Sequence, residues 1–184
     1  FSAHFNDYLF EVSHLPFPKD ESSCLKTLQE ELEKGEVAAF IFEPLLQGAA
    51  GMRMYSASTL DKMIQLCQKH GVLCIADEVM TGFGRTGTYF ACNQLQEKPD
   101  FVCLSKGLSG GTLPLSLTTC TQDIYDAFLG DDISKAFLHG HSFTGNPVGC
   151  ASAIASLDLL EGEECQKSIQ EITAKHAAFA ETLK

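Results

Sequence analysis

Positive charge is scarce in this chain: 13 Lys and Arg stand against 24 Asp and Glu among 184 residues, a formal net charge of −11. Nucleic acid and anionic lipid are held by clustered cations, so a surface built for either is excluded. No apolar run is long enough to span a bilayer and no signal-type amino terminus is present. The expectation is a cytoplasmic protein. Eight cysteines occur, but no pair has Cys-x-x-Cys spacing. Cys74 and Cys103 fall in strand-like apolar runs and Cys150 in a helical pattern, which reads as buried free thiols in a reducing compartment, not a disulfide or zinc framework. His139 and His141 have no Cys, Asp or Glu at ligand spacing beside them, so no metal site is expected. Repeats, low-complexity tracts and linkers are also lacking.

What is present suits one compact unit, with 45% hydrophobic and 20% charged residues. The opening FSAHFNDYLFEVSHLPFPKD is aromatic-rich and irregular, Pro16 and Pro18 block a helix, and no Met leads it. It reads as the middle of something larger. Residues 24–34 then show helical spacing, with Leu25, Leu28 and Leu32 on one face and Gly35 as the stop. Residues 37–44 form a continuous apolar run of strand length, which suits a parallel strand covered on both faces. After a loop through LLQGAAGMRMYS, Ser58 opens a second helix that stops at Gly71. VLCIADEV, DFVCLS and LPLSLTTC read as three more strands, with a helix near 122–129 after the last. Asn146 and Pro147 start a helix ending at Gly162, and a final helix runs from about Glu163. Alternating strands and helices predict a three-layer α/β/α fold with a mostly parallel sheet.

GFGRTG, residues 82–87, has the spacing of a dinucleotide loop. Such a loop must enter a helix and be followed about 20 residues later by an acid. Here TYFACNQL follows without a cap or a long amphipathic pattern, and the acids Asp77 and Glu78 come first. Asp77 closes a buried strand, where open α/β sheets place ligands, although a strand-end Asp can simply cap a turn. Lys106 follows the buried run FVCLS and could be a solvated loop charge. As a pair at the ends of neighbouring strands they fit the demands of pyridoxal phosphate: an amine to form the Schiff base and a carboxylate to keep the ring nitrogen protonated.

IADEVMTGFGRTG, LSKGLSGG, FEPLLQGAAGMRMY and HGHSFTGNPVGCASAIASLDLL together resemble the class III aminotransferases, over residues 37–160 and in the family's order. The resemblance implies the large domain of the fold type I architecture, with residues 1–184 a part of that domain and both its amino-terminal portion and the small carboxyl-terminal domain absent. It implies pyridoxal 5'-phosphate as cofactor, Lys106 as the Schiff-base lysine, Asp77 as the partner of the ring nitrogen and Val79 as packing on one ring face. Ser142 stands where the family usually has a Thr that reaches the phosphate in the neighbouring subunit, implying a homodimer with shared sites. Arg85 is similar to a residue that could take a substrate carboxylate, or else could bond loop carbonyls or an acid. Glu43 resembles an acid near the substrate end, with a supporting role or a plain strand-end acid equally open, and Gly140 falls on the substrate side.

Many ornithine-type members have Gln where Met80 stands, and Met cannot donate its hydrogen bond to the cofactor's phenolic oxygen. With GGTLPLS, this makes the likeness greatest to the members of biotin synthesis, which move an amino group from S-adenosylmethionine to 7-keto-8-aminopelargonate. The family's Gly-Ser phosphate loop, its stacking aromatic and a further substrate arginine are not found here, so this piece alone is expected to be inactive. The alternatives are an ornithine or acetylornithine type of ω-aminotransferase, and a non-catalytic segment serving assembly.

Overall fold

The computed structural model describes residues 11–183; the irregular opening read over residues 1–10 lies outside them. Helix α1 (Glu21–Glu33) starts one turn earlier than its apolar spacing suggests, because the Asp20 carboxylate accepts the amide protons of Ser22 and Ser23. It buries Cys24, Leu28 and Leu32, one stripe at intervals of four. Strand β1 (Ala39–Phe42) follows. A short antiparallel hairpin, β2 (Leu46–Gln47) and β3 (Arg53–Met54), occupies the stretch expected to be a loop. Helix α2 (Ala57–Lys69) is capped by Ser56, not Ser58: Ser56 Oγ accepts the Thr59 amide at 3.1 Å. Leu60, Met63, Ile64 and Cys67 make its buried face.

Strands β4 (Leu73–Asp77), β5 (Phe101–Leu104) and β6 (Leu117–Cys120) complete a sheet ordered β1-β4-β5-β6. β1, β4 and β5 are parallel, and β6 runs antiparallel to β5. Helix α3 (Gln122–Ala127) follows, then α4 (Pro147–Glu161), capped by Asn146 as its sequence implies, and α5 (Glu163–Glu181). The architecture is a mostly parallel sheet flanked by helices, the three-layer α/β/α class.

α1 and α2 pack on one sheet face, against Phe42, Cys74 and Ala76. The pleat sends the alternate residues to the other face, where Ile41 is 63% and Leu73 39% exposed. The expectation that β1 is covered on both sides is therefore corrected for the described residues. The physical reason is placement: α4 docks on the turn that follows β5, donating from Ser152 and Ser156 to its carbonyls. The thiols are all free, but burial holds only for Cys24, Cys67, Cys74 and Cys92; Cys150, expected inside, is exposed along with Cys120.

Candidate active site

Three parallel strands end on one edge of the sheet, and each end carries an ionisable side chain. Phe42 is in register with Ala76, so Glu43 and Asp77 follow side by side; Asp77 is in turn paired with Cys103, three residues before Lys106. Neighbouring strands lie about 4.8 Å apart, so the ends of β4 and β5 stand side by side at the carboxyl edge, with Lys106 in the turn just beyond β5. Parity puts Asp77 on the face that α1 and α2 leave open, since Cys74 and Ala76 are the buried residues of β4. Its Oδ1 accepts the Val79 amide at 3.0 Å, forming the strand-end turn. Oδ2 has no hydrogen-bond partner among the described residues.

The same parity that buries Cys74 and Ala76 buries Glu78, which is fully inaccessible. Its carboxylate accepts the amides of Ala91 at 3.0 Å and Cys92 at 2.7 Å and the Thr81 hydroxyl at 2.6 Å. Its amide donates to the Cys103 carbonyl at 2.9 Å, tying β4 to β5 just beyond Asp77. Burial, and then the charge of Glu78, push the Cys92 thiol well above its usual range. GFGRTG is thus the tip of a loop stapled at both ends by one buried acid. It enters no α-helix; a single 3-10 turn, Ala91–Gln94, follows. Sequence reasoning gave Glu78 no role, although the alternation 74, 76, 78 along an apolar strand was the signal for its burial.

Lys106 opens a second 3-10 turn, Lys106–Ser109, with φ +45°. A left-handed non-glycine backbone costs on the order of 1–3 kcal/mol and persists where its surroundings over-determine it. Those surroundings are named contacts. Ser105 Oγ donates to the Leu115 carbonyl at 2.8 Å, Ser109 Oγ to Leu113 at 2.6 Å, and from α4 Ser156 donates to Gly107 and Ser152 to Ser109, both at 3.1 Å. Small hydroxyls four residues apart on an otherwise apolar helix were the legible trace of that docking. Beside the turn lies an open cleft of about 550 Å³, walled by Phe83, Arg85, Lys106, Gly110, Ser156 and Leu160 among others. Asp77 is not among its walls and sits on the sheet edge outside it.

The other expected residues divide. Val79 is half-buried in the turn directly after Asp77. Arg85 is exposed on the loop tip and shares the cleft with Lys106; its guanidinium has no hydrogen-bond or ion-pair partner among the described residues, so it bonds neither loop carbonyls nor an acid there. Glu43 sits at the site's edge, and its Oε2 accepts the Gly48 amide at 2.9 Å, which shapes the hairpin turn. A side chain on Gly48 would overlap Met80 Sδ, so Met80 packs against that turn. Ser142 and Gly140 lie in the exposed loop before α4 and do not line the cleft that holds Lys106. In the same loop the Phe143 amide donates to His141 Nδ1 at 3.1 Å, and the His139 ring lies 5.5 Å from that of Phe137. Among the described residues no group of three or more His, Cys, Asp or Glu could hold a metal ion.

A pyridine ring bearing an aldehyde needs an acid with a free oxygen, an amine outside any ion pair and open space at the sheet edge. Asp77 Oδ2, Lys106 Nζ, which has no ion-pair partner among the described residues, and the uncovered sheet face supply these. The chain matches the model of the family described as aminotransferase class III over residues 1–184. It is 49% identical over 174 residues to an adenosylmethionine-8-amino-7-oxononanoate aminotransferase of Synechococcus elongatus, covering 89% of this chain and 41% of that protein. A crystal structure of the enzyme of that name from Methanocaldococcus jannaschii superposes with TM-score 0.87 and 38% identity, covering 100% of this chain and 42% of the other. An amine transaminase from an uncultivated Pseudomonas species, solved in a PLP-bound form, gives TM-score 0.77 and 36% identity over 84% of this chain and 36% of that one. The chain thus spans about two fifths of the length of these proteins. Sequence match, superposition and the paired strand ends agree that the chain belongs to the class III aminotransferases.

Proposed function

We propose that this chain is the central part of a pyridoxal-phosphate-dependent aminotransferase that moves the amino group of S-adenosylmethionine to 7-keto-8-aminopelargonate, giving 7,8-diaminopelargonate in biotin synthesis. The observation that carries it is the placement of Asp77 at the end of one strand and Lys106 in the turn just after its parallel neighbour. Relatives named for this reaction support the choice of substrates. When bound, the cofactor supplies an electron sink that stabilises negative charge on the substrate carbon bearing nitrogen. Asp77 Oδ2 would hold the ring-nitrogen proton, and Val79 would pack on a ring face. Lys106 Nζ would anchor the cofactor and carry the proton to and from the substrate carbon. Arg85, with Gly140 and Glu43 nearby in role, would take the substrate, its guanidinium offering a fork for a carboxylate. Ser142, which is exposed and bonds neither Asp77 nor Lys106, would serve the cofactor phosphate of a partner subunit in a homodimer. No helix among the described residues is long and apolar enough to cross a membrane, and eight free thiols suit a reducing, cytoplasmic setting.

The test is a product assay on the full-length polypeptide carrying this chain, with S-adenosylmethionine as the only amino donor. Formation of 7,8-diaminopelargonate, abolished in Lys106→Ala, is the expected result. Turnover with ornithine or acetylornithine and none with S-adenosylmethionine would move the assignment to another branch of the family. A Lys106→Ala protein that kept turnover would remove the lysine from its role.

A further inference from the structure

The residue after Lys106 is gripped from two directions. A Cβ on Gly107 would lie 2.7 Å from Phe83 Cβ and 2.9 Å from its Cγ and Cδ2, so the aromatic presses directly on the Gly107 backbone. From the opposite element, α4, the Ser156 hydroxyl donates to the Gly107 carbonyl at 3.1 Å. Phe83 itself is left-handed, with φ +59°, as is Lys106 at +45°. Two strained non-glycine residues in contact through one glycine require a rigid support on each side. Phe83 has one in the backbone of its own loop, which buried Glu78 staples at both ends; its ring also meets Phe90 edge-on at 5.6 Å and 72°, a contact separate from the grip on Gly107. An apolar side chain has no acid–base chemistry to offer, yet this one joins the loop that starts at Asp77 to the turn that starts at Lys106.

We propose that Phe83 is a positioning residue for Lys106: by bearing on Gly107 it keeps the Lys106 backbone left-handed and presents the amine to the cofactor in a single orientation. The inference rests on the reading of Lys106 as the lysine that anchors the cofactor. Loss of the ring frees the turn to relax, and the lysine then holds its cofactor loosely instead of losing it. Phe90 supplies an internal control, because removing it breaks the same ring pair without touching Gly107.

The experiment titrates the full-length polypeptide with pyridoxal phosphate and reads two signals: near-visible absorbance for the amount bound to lysine, and circular dichroism in the same band divided by that amount. Dichroism per bound cofactor reports how rigidly the chromophore is held, which a general loss of stability does not change. In Phe83→Leu it is expected to fall by at least about half and the cofactor dissociation constant to rise about tenfold, as a displaced anchoring group demands. Phe83→Tyr keeps the ring and should match the parent on both counts, and Phe90→Leu should keep the parent's dichroism per bound cofactor. Should Phe83→Leu not fold, Phe83→Met, which fills the volume with a flexible chain, is read by the same criterion. Equal falls in the Phe83 and Phe90 variants, or unchanged dichroism when the Phe83 ring is lost, would overturn the positioning role. Lys106→Ala separates the two ideas: if it retains the lysine-bound band, the cofactor assignment falls as well, and if it loses the band, the Phe83 variants alone decide the positioning role.

Discussion

Three donors converge on the buried Glu78 carboxylate, and none of them has another partner among the described residues: the amides of Ala91 and Cys92 and the hydroxyl of Thr81. Leaving a buried donor unsatisfied costs about 1–3 kcal/mol. Glu78→Ala is therefore predicted to destabilise the full-length protein by about 3 kcal/mol, read from urea unfolding at constant slope, since the two amides belong to buried residues. A loss under about 1 kcal/mol would show that the loop is held by something else. At this scale the sequence was legible where chemistry is exceptional: a lysine and an aspartate directly after buried runs have few stable explanations, and both stand on the sheet edge. It was illegible where a residue's role is to satisfy backbone. Glu78 beside Asp77 looks like a second functional acid until parity is followed to the buried face. Phe83 looks like one more apolar residue until its left-handed φ and its contact with Gly107 are known.

Long elements could be read from residue spacing and end signals, and short or orientation-dependent ones could not. α2 fits its apolar spacing and α4 its cap and stop signals, while the β2–β3 hairpin has only two residues in each strand and so no period to detect. Nothing in LPLSLTTC says that β6 runs against β5, because an apolar run carries no direction. The connection from β4 to β5 lacks the crossover helix usual between parallel strands, and Glu78 supplies the tether instead. At the helix layer, α1 is joined to α2 by Glu21, which bonds Lys62 and accepts from Thr59 at 2.7 Å. Lys62, then Thr59, lower the Glu21 carboxyl below its ordinary 4.5. The Ser22 hydroxyl, then the Ser23 amide, lower Asp20 below 3.8. Groups depressed on folding add stability above their unfolded values, and that stability is lost as pH falls through the folded ones. The thermal midpoint is thus predicted to be flat from about pH 8 to 5 in this respect and to drop below about pH 4, more shallowly in an Asp20→Asn/Glu21→Gln variant. Both groups are solvent-exposed, so the difference is small. An identical acid profile for the two proteins would contradict it.

As a whole, the described residues leave apolar surface uncovered. α4 is apolar nearly all round, yet Val148, Ile154 and Leu159 are 69%, 63% and 75% exposed, and Phe137 and Phe143 beside it 68% and 74%. A helix of that character is ordinarily buried, and contiguous patches of this kind mark interfaces. The chain spans about two fifths of its relatives' length, and the proposed homodimer would cover the loop that carries Ser142. β1, read as covered on both sides, is bare on one because α4 docks on the turn after β5 and not on the sheet face; an apolar run does not say which segment covers it. The claim on which all of this depends is that one heteroaromatic ring is held between Asp77 and Lys106. Borohydride reduction of the full-length protein saturated with pyridoxal phosphate, followed by proteolysis and mass spectrometry, tests it most directly. The account predicts a pyridoxyl-phosphate adduct on the peptide containing Lys106 and on no other. An adduct confined to a different lysine, or none at all from protein that has bound the cofactor, would contradict it.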